Sequence, residues 1–393
     1  MNGRFRLAVV NSHPIQYFAP MYAYLEREPG LELTALYCSD FSLRGGVDVG
    51  FGRAVTWDVN LLDGYRHKFV GARASRRTPA GFWSLVCPGL WNEIRAGQYD
   101  AVLVHGYGYA AYVLALLAAK TCGVPVFMRT ETHLGLRRSA VRRSVRDAVL
   151  AFAFRFVDGF LAIGSANRAY YRTLGVPESK IHDVPYTVDN NRFVEASKLT
   201  PDERAQVRRH YGASPDHPLV LYASKLVPRK HPDDLIRAFK ILHAEGVRAT
   251  LLIVGTGEME ADLRQLASEM ESVRFGGFVN QTELPRVLAA ADVFVLPADN
   301  EPWGLVVNEA MCAGLPVIVG DRVGCVPDLV RDGETGLLVR PGDVSGLANA
   351  LRRLLLHDGA RRAMGTRGLA TVTNWNYERC LVGVRSAMAA VRK

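Results

Sequence analysis

The sequence predicts an α/β protein made of two doubly wound domains, and three observations carry that expectation. Apolar runs of a few residues alternate with helical patterns along most of the chain. Those runs are apolar almost throughout, as parallel strands covered on both faces require. The length of 393 residues exceeds one ordinary α/β domain, so two are expected.

Taken in order, the first half offers strands at residues 5–10, 31–37, 101–105, 124–128, 159–163 and 180–184. Helical spacing falls between them at 18–27, 109–122 and 138–156. In the second half the strands are 219–223, 249–254, 273–275, 293–296 and 316–319, with helices at 232–244, 258–270, 283–290 and 303–313. Periodicity fails across VPYTVDNNRFVEASKLT, where Pro, Asn and Asp gather, and this marks the seam. The expected division is 1–190, 191–374, and a final helix at 375–393 that returns to the N-terminal domain. Sheets of this kind bind ligands beyond the carboxyl ends of their strands, so the active site is expected in a cleft between the domains.

Composition narrows the function classes. Hydrophobic residues make up 49% and charged residues 22%, which is globular and not disordered. The most apolar stretch, 148–163, is interrupted by Arg155 and Asp158, so no membrane span is expected. MNGRFRLAVV runs directly into a strand pattern without a leader pattern, and a cytoplasmic protein is expected. Six cysteines lie scattered without a C-x-x-C pair, which suits reduced thiols and argues against a metal site. Residues 1–200 carry 24 basic and 16 acidic side chains, whereas residues 201–393 carry 24 and 23. The basic half suits an anionic substrate or membrane, or is simply a solvated arginine-rich surface. Nucleic acid is not expected, because no aromatic-rich basic platform accompanies the charge.

Three clusters carry chemistry. In ADVFVLPADNEPWGLVVNEAM a buried strand ends, and a polar loop leads into a helix with Pro302 in its first turn. Glu301 then sits at the helix mouth beside the N–H groups of Trp303, Gly304 and Leu305, which favour a phosphate. Glu309 follows on the same helix, and paired carboxylates suit a polyhydroxylated ligand. The alternative is a glutamate offsetting the helix dipole plus a surface glutamate. Second, Ser224-Lys225 and Lys230 flank a turn after the strand at 219–223. Cations there can offset the charge of a departing pyrophosphate, although an exposed basic turn would look the same. Third, Gly255 and Gly257 form a strand-to-helix turn in VGTGEME that can let the backbone approach a donor sugar or phosphate. Glu260 replaces the third glycine of the dinucleotide fingerprint, so NAD binding is not expected.

In this order SKLVPRKHPDDLIRAF, LLIVGTGE, VRFGGFV, ADVFVLPADNEPWGLVVNEAMCAGLPVIVG and DGETGLLVRPGD resemble the C-terminal domain of family 4 retaining glycosyltransferases. The resemblance is dense over residues 219 to about 357, and PYTVDNNRF is similar to the family's interdomain segment. It implies a GT-B fold of two facing Rossmann-like domains, and metal-independent transfer of a sugar from a nucleoside diphosphate with retention of configuration. Lys225 and Lys230 match the family's phosphate-binding cations. Glu309 matches the ribose-binding glutamate of the E-x7-E motif, and Glu301 the one that meets the donor sugar. The backbone of Trp303, Gly304, Leu305 and Val306 corresponds to the part that meets sugar and diphosphate, and Val279 to the base contact. Two departures stand out: Ser224-Lys225 replaces Gly-Arg, giving up the planar guanidinium fork, and His231 replaces a common glycine.

The N-terminal half departs further. After the first strand comes NSHPIQY in place of a glycine-rich loop, which makes His13 and Gln16 candidates for acceptor or diphosphate contact. His105 ends another strand in the family's D-x4-H pattern. The next strand delivers Arg129, Glu131 and His133, and either Arg129 or His133 stands where relatives place a sugar-contacting histidine. The basic run from Arg137 and Arg138 to Arg146, followed by apolar residues, resembles the helices that dock on anionic lipid in relatives with lipid-linked acceptors. The expectation is thus a glycosyltransferase, with Glu301, His105, Lys225 and Lys230 nearest the chemistry. Its donor is a nucleotide-sugar, it needs no cofactor, and its acceptor is a glycan, a lipid-linked sugar or a small molecule. A GT-B phosphorylase or epimerase, or a silent glycan-binding protein, would share the architecture.

Overall fold

The protein is described by a computed structural model over residues 3–48, 50–71, 81–135 and 140–392, with the side chains of 140–145 excepted. Its fold class is the expected α/β, with two parallel sheets. The first holds β1 (Phe5–Asn11), β2 (Leu31–Tyr37), β5 (Arg66–Phe69), β6 (Ala101–Val104), β7 (Val126–Met128), β8 (Gly159–Ala162) and β9 (Ile181–Asp183). A two-residue hairpin, β3 (Val47–Asp48) and β4 (Arg53–Ala54), stands apart from it. The second sheet holds β10 (Leu219–Ala223), β11 (Thr250–Val254), β12 (Val273–Gly277), β13 (Val293–Leu296), β14 (Val317–Gly320) and β15 (Gly336–Val339).

The strand orders are β5-β2-β1-β6-β7-β8-β9 and β12-β11-β10-β13-β14-β15. Each reverses direction once, between β1 and β6 and between β10 and β13. At such a switch point the loops leave in opposite directions and open a crevice beyond the strand ends. Central strands are apolar on both sides: every residue of β6, β10, β11 and β13 is buried. Within the two large sheets, the two strands that apolar periodicity did not announce lie at the edges. Arg66–Phe69 is mostly exposed, so its sequence carries no hydrophobic signal. Gly336–Val339 lies among Gly and Pro in GETGLLVRPGD, so its apolar run reads as part of a turn.

The chain divides into two compact units, one of Met1–Val49, Arg53–Tyr186 and Tyr377–Lys393, the other of Gly50–Gly52 and Thr187–Asn376. In the first, β6 to β8 and the helix Ala110–Thr121 bury a core that includes Val102, Val104, Ala115, Phe160 and Tyr171. The final helix, Tyr377–Val391, belongs to this unit. Ser386 Oγ meets His182 Nδ1 at 2.9 Å, and Arg385 pairs with Glu28 at 2.6 Å. In the second unit, β10 and β11 pack with the helix Pro232–Ala244 around Leu235, Ile236, Phe239 and Ile253. Among the described residues no helix is long and apolar enough to cross a membrane.

Candidate active site

In the second unit the switch point between β10 and β13 gathers the main candidates. After β10 the chain passes Ser224 and Lys225 into a single 3-10 turn, Pro228–Lys230, and then the helix Pro232–Ala244. After β13 a loop of residues 297–304 leads to the helix Leu305–Cys312. Because the two strands are hydrogen-bonded neighbours running parallel, these loops emerge side by side. Lys230 is buried and ion-paired with Glu301. Arg229 donates to the same carboxylate at 2.7 Å and to the Asn300 carbonyl at 3.0 Å. The Asp299 N–H donates back to the Arg229 carbonyl at 2.9 Å, which locks the loops together.

Burial disfavours a charged Glu301, but Lys230 and then Arg229 outweigh it and hold the carboxyl below its ordinary value. Burial pulls the Lys230 ammonium down, and Glu301 restores part of the loss. Glu301 therefore stays an acceptor-only carboxylate at neutral pH. Sequence spacing missed Arg229. It is a third cation in the basic turn, and its approach to Glu301 depends on the sheet order.

The helix starts later than expected. Gly304 is its N-cap, at φ +90°, and a Cβ there would lie 3.0 Å from Val323. Trp303 is thus outside the helix, and the first helical N–H groups belong to Leu305 and Val306. The Trp303 side chain packs within the fold. It is buried, donates from Nε1 to Asn308 at 2.9 Å and stacks on Trp375 at 5.8 Å. Its carbonyl accepts from the Cys325 N–H at 3.0 Å. Trp303 holds the loop in place.

Glu309 is 0% exposed, so the surface-glutamate alternative fails, and the carboxylate is enclosed in this state. Gly255, at φ +131°, and Gly257 also serve the chain itself. A Cβ on the first would fall 1.9 Å from the Ser224 carbonyl oxygen, and one on the second 2.4 Å from that of Leu226. Both glycines pack closely against the Lys225 loop. His231 has φ +52°, the conformation that glycine adopts freely, and its Nδ1 meets Asp234 at 2.7 Å. Val279 is half-buried after Phe278, at the carboxyl end of β12.

In the first unit the switch between β1 and β6 joins another group. His105 Nε2 meets Tyr22 Oη at 2.9 Å, and Tyr22 Oη accepts from Asn11 Nδ2 at 2.6 Å. Phe18 lies against the His105 ring at 4.5 Å and beneath the Arg129 guanidinium at 5.6 Å. Tyr186 faces Arg129 from 5.0 Å and donates to Glu131. Burial, reinforced by Arg129, keeps His105 well below its ordinary pKa. The imidazole is neutral at pH 7. Arg129 therefore joins His105 around one aromatic ring, whereas the buried His133 accepts the Gly135 N–H at 3.1 Å in a local turn. His13 contacts Ser12 Oγ at 3.0 Å, and burial lowers its pKa to about 4. Gln16 is half-buried in the same loop.

The basic run at Arg137 and Arg138 lies outside the described residues, as do the side chains of Arg142 and Arg143. Arg146 is engaged by Asp147 at 2.6 Å and Tyr170 at 3.1 Å.

Two doubly wound parallel sheets, with cations and a glutamate gathered at a switch point, are the arrangement expected of a GT-B glycosyltransferase. Comparison with known proteins agrees. Residues 203–370 match the family model of glycosyl transferases group 1, and residues 28–187 that of the glycosyl transferase 4-like domain. The chain is 35% identical over 301 residues to a GDP-mannose-dependent α-(1-6)-phosphatidylinositol monomannoside mannosyltransferase of Mycolicibacterium smegmatis, covering 72% of this chain and 74% of that one. It is 29% identical to a D-inositol 3-phosphate glycosyltransferase of Actinosynnema mirum, over 75% and 73% of the two chains. The structure of Anabaena Alr3699/HepE in complex with UDP and glucose superposes with a TM-score of 0.74 at 17% identity, over 98% of this chain and 100% of that one. The chain belongs to the family 4 GT-B glycosyltransferases and is a transferase enzyme.

Proposed function

We propose that this glycosyltransferase moves a hexose from a nucleoside diphosphate to a hydroxyl of a lipid-linked or inositol-bearing acceptor, with retention and without a metal. The observation that carries the reading is the convergence of Arg229 and Lys230 on Glu301, one loop away from the first N–H groups of the helix Leu305–Cys312. Two charge-assisted donors and a helix start can together offset the charge that builds on a departing diphosphate. Lys225 adds a third cation. Glu301 accepts from the sugar hydroxyls, Glu309 holds the ribose, and the Val279 backbone meets the base. His13, Gln16, Arg129, Glu131 and His133 serve the acceptor side, and neutral His105 can donate or accept there. The retaining step needs no separate base, because the leaving phosphate takes the acceptor proton as the glycosidic bond forms. Relatives that use GDP-mannose make it the first donor to try.

The test is incubation of the purified chain with GDP-mannose and UDP-sugars, a phosphatidylinositol glycoside acceptor and excess EDTA. An α-linked product with release of nucleoside diphosphate is expected. An inverted linkage, or activity that EDTA abolishes, defeats the retaining and metal-independent parts separately. Sugar phosphate or an epimerised sugar in place of a glycoside points to the phosphorylase or epimerase reading.

Peripheral attachment to an anionic membrane is part of the proposal. On the helix Ala140–Ala153 and the turn after it, Val149, Phe152 and Phe156 are 61%, 60% and 47% exposed. Their spacing puts them near one face. Such an apolar edge beside a basic run suits an anionic interface. Co-sedimentation with phosphatidylglycerol vesicles at low salt is expected, and no binding there removes this part.

A further inference from the structure

Gly50–Gly52, the tip of the β3–β4 hairpin, clusters with the second unit. The Phe51 ring lies 4.4 Å from the Lys225 ammonium. Its edge meets Phe278 at 5.1 Å and 87°. Thr256 Oγ1 donates to the Phe51 carbonyl at 2.9 Å. The backbone is as close as the ring, because a Cβ on Gly50 would fall 2.6 Å from Lys225 Nζ. The tripeptide thus meets Lys225, the proposed diphosphate cation, Thr256 in the Gly255–Gly257 turn, and Phe278, the neighbour of the proposed base contact Val279.

We propose that Gly50–Gly52 is a plug on the donor site, with Phe51 standing where the nucleotide lies and leaving when it binds. The inference rests on the donor-site reading of Lys225 and Val279. Lys225 cannot be met by a phosphate on the face that Phe51 and Gly50 cover. A cation–π contact and an edge-to-face contact meet the half-buried ring, and a hydrogen bond meets its backbone carbonyl. A phosphate replaces the ring with a charge-assisted contact, which is the stronger partner for an ammonium. Glycines on either side of Phe51, with Gly52 at φ +65° and open space around it, give the backbone freedom to swing. The plug would keep an empty donor site covered, and it would lower apparent donor affinity by the fraction of time it is closed.

The experiment is calorimetric titration of the full chain with GDP and with UDP, in wild type, Phe51→Ala and Thr256→Val. Phe51→Ala removes the ring, and Thr256→Val cuts the carbonyl anchor while leaving the ring intact. Thermal melts check that each variant is folded, and either variant suffices for the test. Tighter binding is expected in both, by about five- to thirtyfold for Phe51→Ala and less for Thr256→Val. Unchanged affinity overturns the plug. Weaker binding overturns it as well and makes Phe51 a stacking partner of the base. If neither wild type nor variants bind any nucleoside diphosphate, the donor-site reading fails and the plug fails with it.

Discussion

Lys230 and Glu301 form an ion pair whose side chains are only 8% and 13% exposed, although 71 sequence positions apart. The pair exists because β10 and β13 are adjacent in the sheet. A buried pair is costly to halve, since the remaining charge loses its partner but stays out of water. Lys230→Met is expected to cost about 3 kcal/mol, softened by Arg229, and to lower kcat about a hundredfold or more. The double variant Lys230→Met, Glu301→Gln should recover much of the stability and none of the activity. Denaturant midpoints and initial rates check both; recovered turnover would show the pair to be structural only.

Arg229 tests whether the missed cation matters for chemistry. Its side chain is 44% exposed, so its effect on stability is expected to stay within about 1 kcal/mol. Arg229→Ala should nonetheless lower kcat/KM about tenfold or more if it faces the departing diphosphate. An unchanged kcat/KM leaves Arg229 as a loop tie alone.

Glu309 separates packing from binding. Glu309→Gln keeps nearly the same volume at a position with no solvent contact. A rise in donor KM of about tenfold or more, with a small change in melting temperature, is expected if the carboxylate grips the ribose. A normal KM with a large loss of stability would make Glu309 structural.

The pH dependence of stability follows from His13 and His105. Both have folded pKa values below the ordinary 6.5, His13 at about 4, because burial disfavours their charged forms. Below pH 6.5 the unfolded chain therefore takes up protons that the folded chain refuses, so stability falls as pH drops. For His13 the loss runs from pH 6.5 to about 4 and then levels off. Melting temperatures between pH 7 and 4 should decline, and His13→Asn should flatten the slope. An unaltered slope in that variant would remove His13 from the account.

His231 tests the left-handed turn before the helix Pro232–Ala244. His231→Ala keeps the left-handed strain and loses the ring's bond to Asp234, and should destabilise by about 1–2 kcal/mol. His231→Gly should be near neutral, because relief of strain offsets the lost contact. Equal losses in both variants would show that the ring bond, not the backbone, matters.

The sequence by itself determined the α/β class and the central strands, because Leu219–Ala223, Thr250–Val254 and Val293–Leu296 are buried on both faces and must be apolar throughout. It also singled out Lys230 and Glu301, since charged residues at strand ends announce themselves by type and place. It could not announce Arg66–Phe69, an edge strand with nothing to bury, nor the start of the helix at Leu305, which Gly304 sets through its left-handed backbone. Only the tertiary structure decided which cation meets which carboxylate. Strand order brings Arg229 to Glu301, and tertiary packing buries Glu309, stacks Trp303 on Trp375 and sets Phe51 against Lys225. Those are contacts between residues far apart along the chain, and local periodicity carries no record of them.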